Sequence, residues 1–524
     1  MQKEKEVQME PKRKMDDAAG ILFFLLSTGM LCASCLFLCR GSDIWYDEVF
    51  TLGLANQPLG ELISLTAGDV HPPLYYMIVK LFFAFGAGGG IGTQVALAKL
   101  ASCSFFGLCI VLAAVKIRRN FGLLAAGLFA FLLVSMPQLS GYMVEMRMYG
   151  LSVFFLTAGM SIAYELTSQE IDAGKNWIFF TLCCLAACYT HYFACVAACM
   201  IYVYLLVCFG MQGRLLKKLG KYLISGFVCA AGYLPWLAGV VSNQLGKVKE
   251  NYWIQPVSLR TLGGCVKFLF QPSLFGEKGN AVWAVVFLGI YLLVFGAAFV
   301  RYRREKGKHE KEILVFATGC AAVLAGIVLF GMGASIAVKP VFVYRYMLPA
   351  MGVFWLAFAV LAAGLNGWKL KGFLLGFVLI TGLGNFRSFY GEETWKSLQM
   401  QAALSELSQI GEGDIVIFNF DQAQAVTGCY LPNDTYLWYG KPEDLVVRMY
   451  PQNKSLVDGE FSDEAGMEAI KKFLKSGESV WFLGTGNARE EIRQKWEKEG
   501  IHSQEKASVM IERYWINFYL LSCE

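Results

Sequence analysis

Charge is scarce in this chain. Only 17% of its 524 residues are Asp, Glu, Lys or Arg, against about 25% in ordinary soluble domains. With 56% hydrophobic residues, that shortage excludes an ordinary soluble enzyme. The chain also lacks low-complexity segments and internal repeats. It lacks a disulfide framework too, although it holds 16 cysteines. Most of these lie inside apolar runs, where they serve as small packing residues. Cys32, Cys35 and Cys39 fall on one helical face, as packers or as metal ligands. Cys429 and Cys523 lie in a polar tail, where their pairing stays open. No small-residue cleavage site follows the first apolar run, so residues 1–17 read as a cytoplasmic tail before an uncleaved span. The basic residues sit in short loops between apolar runs. That is the pattern of cytoplasmic loops, and it excludes a nucleic-acid-binding surface.

What is present is a series of apolar runs near the ~20 residues a helix needs to cross hydrocarbon. They predict about eleven spans, at 18–39, 95–115, 121–136, 148–166, 176–190, 191–209, 222–241, 281–300, 313–338, 346–364 and 371–388. With the N-terminus inside, five loops return to the cytoplasm. Four are clearly basic: "KIRRN" (116–120), "GRLLKKLGK" (213–221), "RYRREKGKHEKE" (301–312) and "GWKLKG" (367–372). The fifth, 167–176, is not. Residues 71–86 tempt an extra span, but they reach only about 24 Å as a helix and carry Lys80. A helix on the outer surface is expected there.

The expected fold is therefore an all-α polytopic membrane bundle, N-in and C-out, with a small C-terminal extracytoplasmic α/β domain. Residues 18–389 form the membrane domain and 390–524 the external one. The first external loop, 40–94, carries surface helices. In the tail, 393–410, 463–476 and 488–500 look helical, and "DIVIFNF", "SVWFLG" and "YWINFYLL" look like strands. "LGTGNARE" (483–490) reads as a turn or as a phosphate cradle. "NDT" at 433 and "NKS" at 453 match the glycosylation sequon.

Four stretches place polar chemistry against this apolar background. "WYDEVFTL" sets Asp47 beside Glu48 where a helix enters the outer interface. The pair reads as solvated interfacial charge or as a carboxylate facing a cavity. "DVHPPLYY" sets Asp69 and His71 before two prolines, which extend the backbone and can open a helix. Asp69 either caps that helix or joins His71 at a cavity mouth. "YMVEMRMYGL" carries Glu145 and Arg147, and the Arg either snorkels or offers a planar fork to a phosphate. "KPVFVYRYMLP" carries Arg345 and Tyr346 at an external helix end, against the positive-inside bias. They read as an aromatic belt with an anchoring Arg or as an anion site.

Together with "THYFA" around His191, these stretches resemble the membrane-embedded GT-C glycosyltransferases. More narrowly, they are similar to the protein O-mannosyltransferase-related family 39, with its bacterial aminoarabinose-transferase-like and RgtA/B/C/D-like branches. The resemblance covers about residues 15–390. It implies a multi-pass protein of the cell membrane and a polyprenyl-phosphate-linked sugar as donor. The acceptor hydroxyl would belong to a glycan, a lipid or a protein, and transfer would occur outside the cytoplasm with inversion. Asp47 would be the general base and Glu48 its catalytic neighbour, in donor or acceptor binding. Asp69, His71, Glu145, Arg147, His191, Arg345 and Tyr346 would bind the substrates, with Arg345 at the lipid phosphate. A divalent cation is possible within that resemblance, and no metal ligands are assigned. A transporter or flippase of lipid-linked sugars is the alternative. It would place its polar groups near the bilayer midplane, whereas here they gather at one face.

Overall fold

The computed structural model describes residues 2–41, 43–69, 71–168, 174–241, 254–432, 435–439, 449–450 and 460–523, with side chains from residue 14 onward. Both sequon asparagines lie outside the described residues. The chain forms two compact units. One comprises Met1–Leu36, Thr66–Tyr75 and Lys99–Tyr390, and the other Phe37–Leu65, Tyr76–Ala98 and Gly391–Glu524.

Among the described residues, nine helices are long and apolar enough to cross a membrane. They are Lys14–Arg40, Ile91–Phe121, Tyr149–Ser168, Tyr192–Met211, Leu215–Val240, Glu277–Glu305, Lys308–Ala337, Tyr344–Ala363 and Trp368–Leu407. Two more expected spans are the shorter apolar helices Leu123–Ser135 and Gly174–Cys188. Residues 71–86 give a third short helix, Leu74–Gly86.

Leu123–Ser135 has 13 residues, of which all but the first are buried. At 1.5 Å per residue it is about 20 Å long, and with no exposed stripe it packs on every side. Within the first unit it meets the N-terminal helix Gln2–Phe37 backbone to backbone at Gly20 and Gly127. A Cβ on Gly20 would meet the Leu123 carbonyl oxygen at 2.6 Å, and a Cβ on Gly127 would strike the Gly20 carbonyl. Without a hydrophobic drive between spans, such backbone contacts are a main source of association energy in a bilayer. Gly127→Ala is expected to lower the thermal midpoint of the detergent-solubilised protein by several degrees. Gly29→Ala, where a Cβ meets nothing within 4 Å, should leave it in place.

The loops expected to share the cytoplasmic side touch one another within the first unit. Glu165, 1% exposed, accepts from Lys116 Nζ at 2.8 Å and from the Arg119 guanidinium of the "KIRRN" loop. Asn176 Nδ2 also donates to it, at 3.4 Å. Arg214 donates to the Thr167 carbonyl at 3.2 Å. Arg301 donates to the Gly364 carbonyl and, at 3.0 Å, to Glu310. Lys371 pairs with Asp16 at 2.8 Å. The non-basic loop after Glu165 is thus explained: the acid ending that span neutralises the adjacent basic loop. Glu165→Ala should cost about 2 kcal/mol or more, because it strips charge-assisted bonds from Lys116 and Arg119. A midpoint shift in thermal unfolding measures it.

The second unit contains a five-stranded mixed sheet in the order β2-β1-β3-β5-β4. Its strands are β1 (Ile415–Phe418), β2 (Tyr436–Trp438), β3 (Val480–Gly484), β4 (Ile501–Ile511) and β5 (Tyr514–Cys523). β1 is parallel to β2 and β3, while β5 is antiparallel to both β3 and β4. The helices Glu464–Lys475 and Gly486–Lys498 pack with the sheet around Ile417, Trp438, Phe461, Phe482 and Trp496. The span expected at 371–388 and the helix expected at 393–410 are one helix, Trp368–Leu407. It runs through five glycines, Gly372, Gly376, Gly382, Gly384 and Gly391, each of which costs about 1 kcal/mol against alanine in a helix. Just after Gly391, Lys396 binds Glu392 and Glu393 at 3.2 and 2.6 Å.

Candidate active site

The first unit gathers seven of the nine residues singled out in the sequence. The short helix Leu139–Val144 precedes Glu145 and Arg147, and Gln138 enters it with φ of 67°. A non-glycine residue in the left-handed region is held there only by its surroundings. Here the buried Asn385 supplies them. Its Nδ2 donates to the Ser135 carbonyl at 2.9 Å and to Ser140 Oγ at 3.2 Å, and its Oδ1 accepts from Ser273 N–H. The chain then turns through an Arg147 N–H bond to the Glu145 carbonyl at 2.8 Å and enters Tyr149–Ser168. Arg345 lies in the tight turn Tyr344–Met347, with Pro349 opening the helix behind it. The loop before that turn is pinned because Ser335 Oγ accepts from both Val341 and Phe342 N–H at 3.0 Å.

His191 is the hub. Its ring centroid stands 5.6 Å from His71, 5.4 Å from Tyr149 and 5.1 Å from Tyr346. It also caps Tyr192–Met211, its Nδ1 accepting from Phe193 N–H at 3.1 Å. A nitrogen that accepts carries no proton, so this ring is neutral and presents Nε2–H. His71 Nδ1 lies 3.5 Å from Asp69 Oδ2, which turns that edge of the ring toward the acid. The Leu74–Phe83 helix begins directly after the two prolines, and its Leu74 N–H is taken by the Tyr189 carbonyl at 3.2 Å. This bond joins the "DVHPPL" turn to the "THYFA" turn.

Arg147 is 4% exposed, a guanidinium placed where charge is expensive. Tyr142 lies among Glu145, Tyr149, Arg345 and Arg147. Burial pushes its phenol well above the ordinary value, Glu145 and Tyr149 add to this, and the two arginines oppose it. Tyr142 and Tyr149 meet edge to face at 5.0 Å. The Tyr149 hydroxyl is buried with no hydrogen-bond partner among the described residues. Tyr149 stands out in the sequence beside Glu145 and Arg147, whereas Tyr142, in the same "YMVEMRMYGL", does not. Two guanidiniums and one carboxylate around Tyr142 leave one positive charge in excess. That balance suits a singly charged phosphodiester.

The second unit holds Asp47 and Glu48 in the first turn of the Tyr46–Asn56 helix. They differ in role. Glu48 is 3% exposed and its Oε2 accepts from Trp45 N–H at 3.1 Å, so it reaches back to cap its own helix. Burial pushes the Tyr430 phenol well above its ordinary value, with Asp43 and Glu48 among the nearby charges. Asp47 is half-buried at the next position along the helix. The C-terminal sheet domain clamps this helix. The Asp421–Gly428 helix packs on it, and Tyr450 Oη donates to the Val49 carbonyl at 3.0 Å. A Cβ on Gly53 would meet Met449 Sδ at 2.8 Å, so the two segments approach closely there. Among the described residues no three His, Cys, Asp or Glu side chains are arranged to hold a metal ion.

No protein-family model matches this sequence, and no curated protein does. The fold is shared with solved structures. ArnT from Cupriavidus metallidurans bound to undecaprenyl phosphate is similar at a TM-score of 0.60 and 13% identity, covering 96% of this chain and 97% of that one. The apo state of the same protein is similar at 0.56, with the same identity and coverage. The helical membrane part and the C-terminal sheet therefore belong to one fold, matched from end to end.

Proposed function

We propose that this protein is a polyprenyl-phosphate-sugar glycosyltransferase of the GT-C type, in family 39. The observation that carries the reading is the pairing of buried Arg147 with Arg345 around Tyr142 and Tyr149. Such a guanidinium pair in an apolar bundle is a site for a lipid phosphate. The end-to-end likeness to a protein solved with undecaprenyl phosphate supports it.

In the proposed reaction the acceptor hydroxyl gives its proton to the Asp47 carboxylate. Its oxygen bonds the anomeric carbon on one face as the carbon–oxygen bond to phosphate breaks on the other. The bonding electrons leave with the polyprenyl phosphate, whose growing charge Arg147 and Arg345 stabilise. A carboxylate suits an oxocarbenium-like transition state because its charge favours the developing cation. Transfer takes place on the outer face, with inversion. His71, beside Asp69, and His191, presenting Nε2–H, offer neutral donors to the sugar, and Tyr346 packs at a tilt against His191. Glu48 holds the helix that carries the base.

Binding tests this reading before any acceptor is known. Purified full-length protein in nanodiscs should bind undecaprenyl phosphate, and saturating amounts should raise its thermal midpoint by mass action. Arg147→Gln with Arg345→Gln should abolish the shift. A shift that survives the double substitution would overturn the assignment of the arginines.

A further inference from the structure

The first unit holds a basic cavity at the far end of two helices that carry the candidate site. Tyr149 opens Tyr149–Ser168, and His191 caps the start of Tyr192–Met211. The other ends of these helices, at Tyr164, Thr167, Tyr204 and Met211, line a cavity of about 870 Å³. At 1.5 Å per residue, the 20 residues of Tyr149–Ser168 hold the two places about 29 Å apart. The starts of Leu215–Trp236 and Lys308–Ala337 supply more of the wall. They bring Arg214, Lys217, Lys218, Lys308 and Lys311 to it, and Glu312 is the single carboxylate among the described residues that line it. Lys308 lies 3.9 Å from that acid.

The walls are set by the fold. Gln212 Nε2 and Arg214 Nη1 both donate to the Thr167 carbonyl, at 3.1 and 3.2 Å, which ties the turn at 211–213 to the end of Tyr149–Ser168. Tyr204 Oη lies 3.4 Å from Thr167 Oγ1, and a Cβ on Gly319 would strike the Tyr204 ring. Tyr164, Tyr204, Met211 and Val315 give the cavity an apolar side. Lysines that serve topology alone need only lie in the loop. Exposed Arg303 and Arg304 do so, in the last turn of Glu277–Glu305, where the macrodipole favours cations. The five cavity cations instead lie at helix N-terminal ends, where the dipole is itself positive and an anion is favoured. Lys218 is only 5% exposed there, which is rare for a lysine.

We propose that this cavity binds the headgroup of an anionic phospholipid carrying two phosphates, a diphosphatidylglycerol, in the leaflet opposite the candidate active site. The cations come in two sets. Arg214, Lys217 and Lys218 stand at the start of one helix, and Lys308 and Lys311 at the start of another. Tyr192–Met211 packs against both helices, so each set can meet one phosphate. The apolar side takes the first carbons of the acyl chains, which a soluble phosphate lacks. Basic pockets between spans on the cytoplasmic side recognise such headgroups, and that is the side expected for these loops.

Native mass spectrometry of the purified full-length protein, titrated with lipid, tests it. Diphosphatidylglycerol should bind more tightly than phosphatidylglycerol, and both more tightly than phosphatidylcholine. Equal binding of all three would overturn the site. Lys217→Gln with Lys311→Gln takes one exposed lysine from each set, so the variant should keep its fold. It should weaken diphosphatidylglycerol binding about tenfold to thirtyfold, the scale for two basic residues at a membrane surface. Arg303→Gln with Arg304→Gln removes the same charge from a neighbouring exposed surface and should change binding by less than about twofold, because salt screens distant exposed charges. Equal losses from the two pairs would reduce the effect to surface charge and overturn the cavity. Displacement of the lipid by an equal concentration of inorganic pyrophosphate would make the occupant a soluble phosphate and overturn the lipid assignment. Undecaprenyl phosphate should still bind the Lys217→Gln, Lys311→Gln variant. Its loss there would place the cavity on the polyprenyl-phosphate site and overturn a separate one.

Discussion

Asp47→Asn is expected to lower sugar transfer by about 10²- to 10⁴-fold, the range for loss of a positioned general base. Asn matches the shape of Asp and cannot take a proton. Its side chain keeps the helix N-terminus polar, so the protein should still fold and still bind undecaprenyl phosphate. The informative comparison is Glu48→Gln, one residue along. Glu48 spends its carboxylate on Trp45 N–H at 3.1 Å, and Gln offers an oxygen to the same donor. Removing that charge from a helix N-terminus costs about 0.3–1 kcal/mol, seen as a small fall in thermal midpoint with turnover nearly kept. Equal loss from both substitutions would mean that the pair works as a unit and that the capping role is incidental. Single-turnover transfer from a labelled undecaprenyl-phosphate hexose separates these outcomes, since it reads chemistry apart from product release.

The contrast between those neighbours was legible only in outline. Adjacent residues on a helix point about 100° apart, so one can face a cavity while the other ties down the loop, but only the placed backbone shows Glu48 pointing back to its own N-cap. Nine spans were legible, because an apolar run near the bilayer thickness needs no partner to be recognised, while the runs at 121–136 and 176–190 form the shorter helices Leu123–Ser135 and Gly174–Cys188. Even the non-basic loop at 167–176 has a cause close by in sequence, since Glu165 faces the basic loop at 116–120. Strand β4, "IHSQEKASVMI", was missed. Only its first residue and three of its last were candidates for burial, and its middle is exposed beside β5. Helix Asp421–Gly428 was missed because eight residues carry too little periodicity, although it is the element that packs on the helix bearing Asp47. Residues acting through local spacing were visible, and residues delivered by long-range packing were not.

Arg345→Ala should have an effect comparable to loss of the base. Removing one preorganised donor to a developing oxyanion costs about 10²–10³ in turnover. Arg345 is held by a tight turn, a proline-started helix and the Ser335 clamp on the preceding loop. Its position is therefore set before substrate arrives, and little reorganisation is left for the reaction step. Arg345→Lys should recover only part of the loss, because an ammonium cannot reproduce the planar fork. Arg147→Ala should be similar in turnover and worse in stability. Glu145 would lose a nearby opposing charge in a half-buried place, and Tyr142 would lose one of the two cations that offset its acidic neighbours. The double substitution should cost less than the product of the singles, since both groups act on one phosphate. Initial rates at varied undecaprenyl-phosphate hexose distinguish the roles. A loss confined to KM would make the arginines lipid anchors only, and a loss in kcat would place them on the leaving phosphate in the transition state.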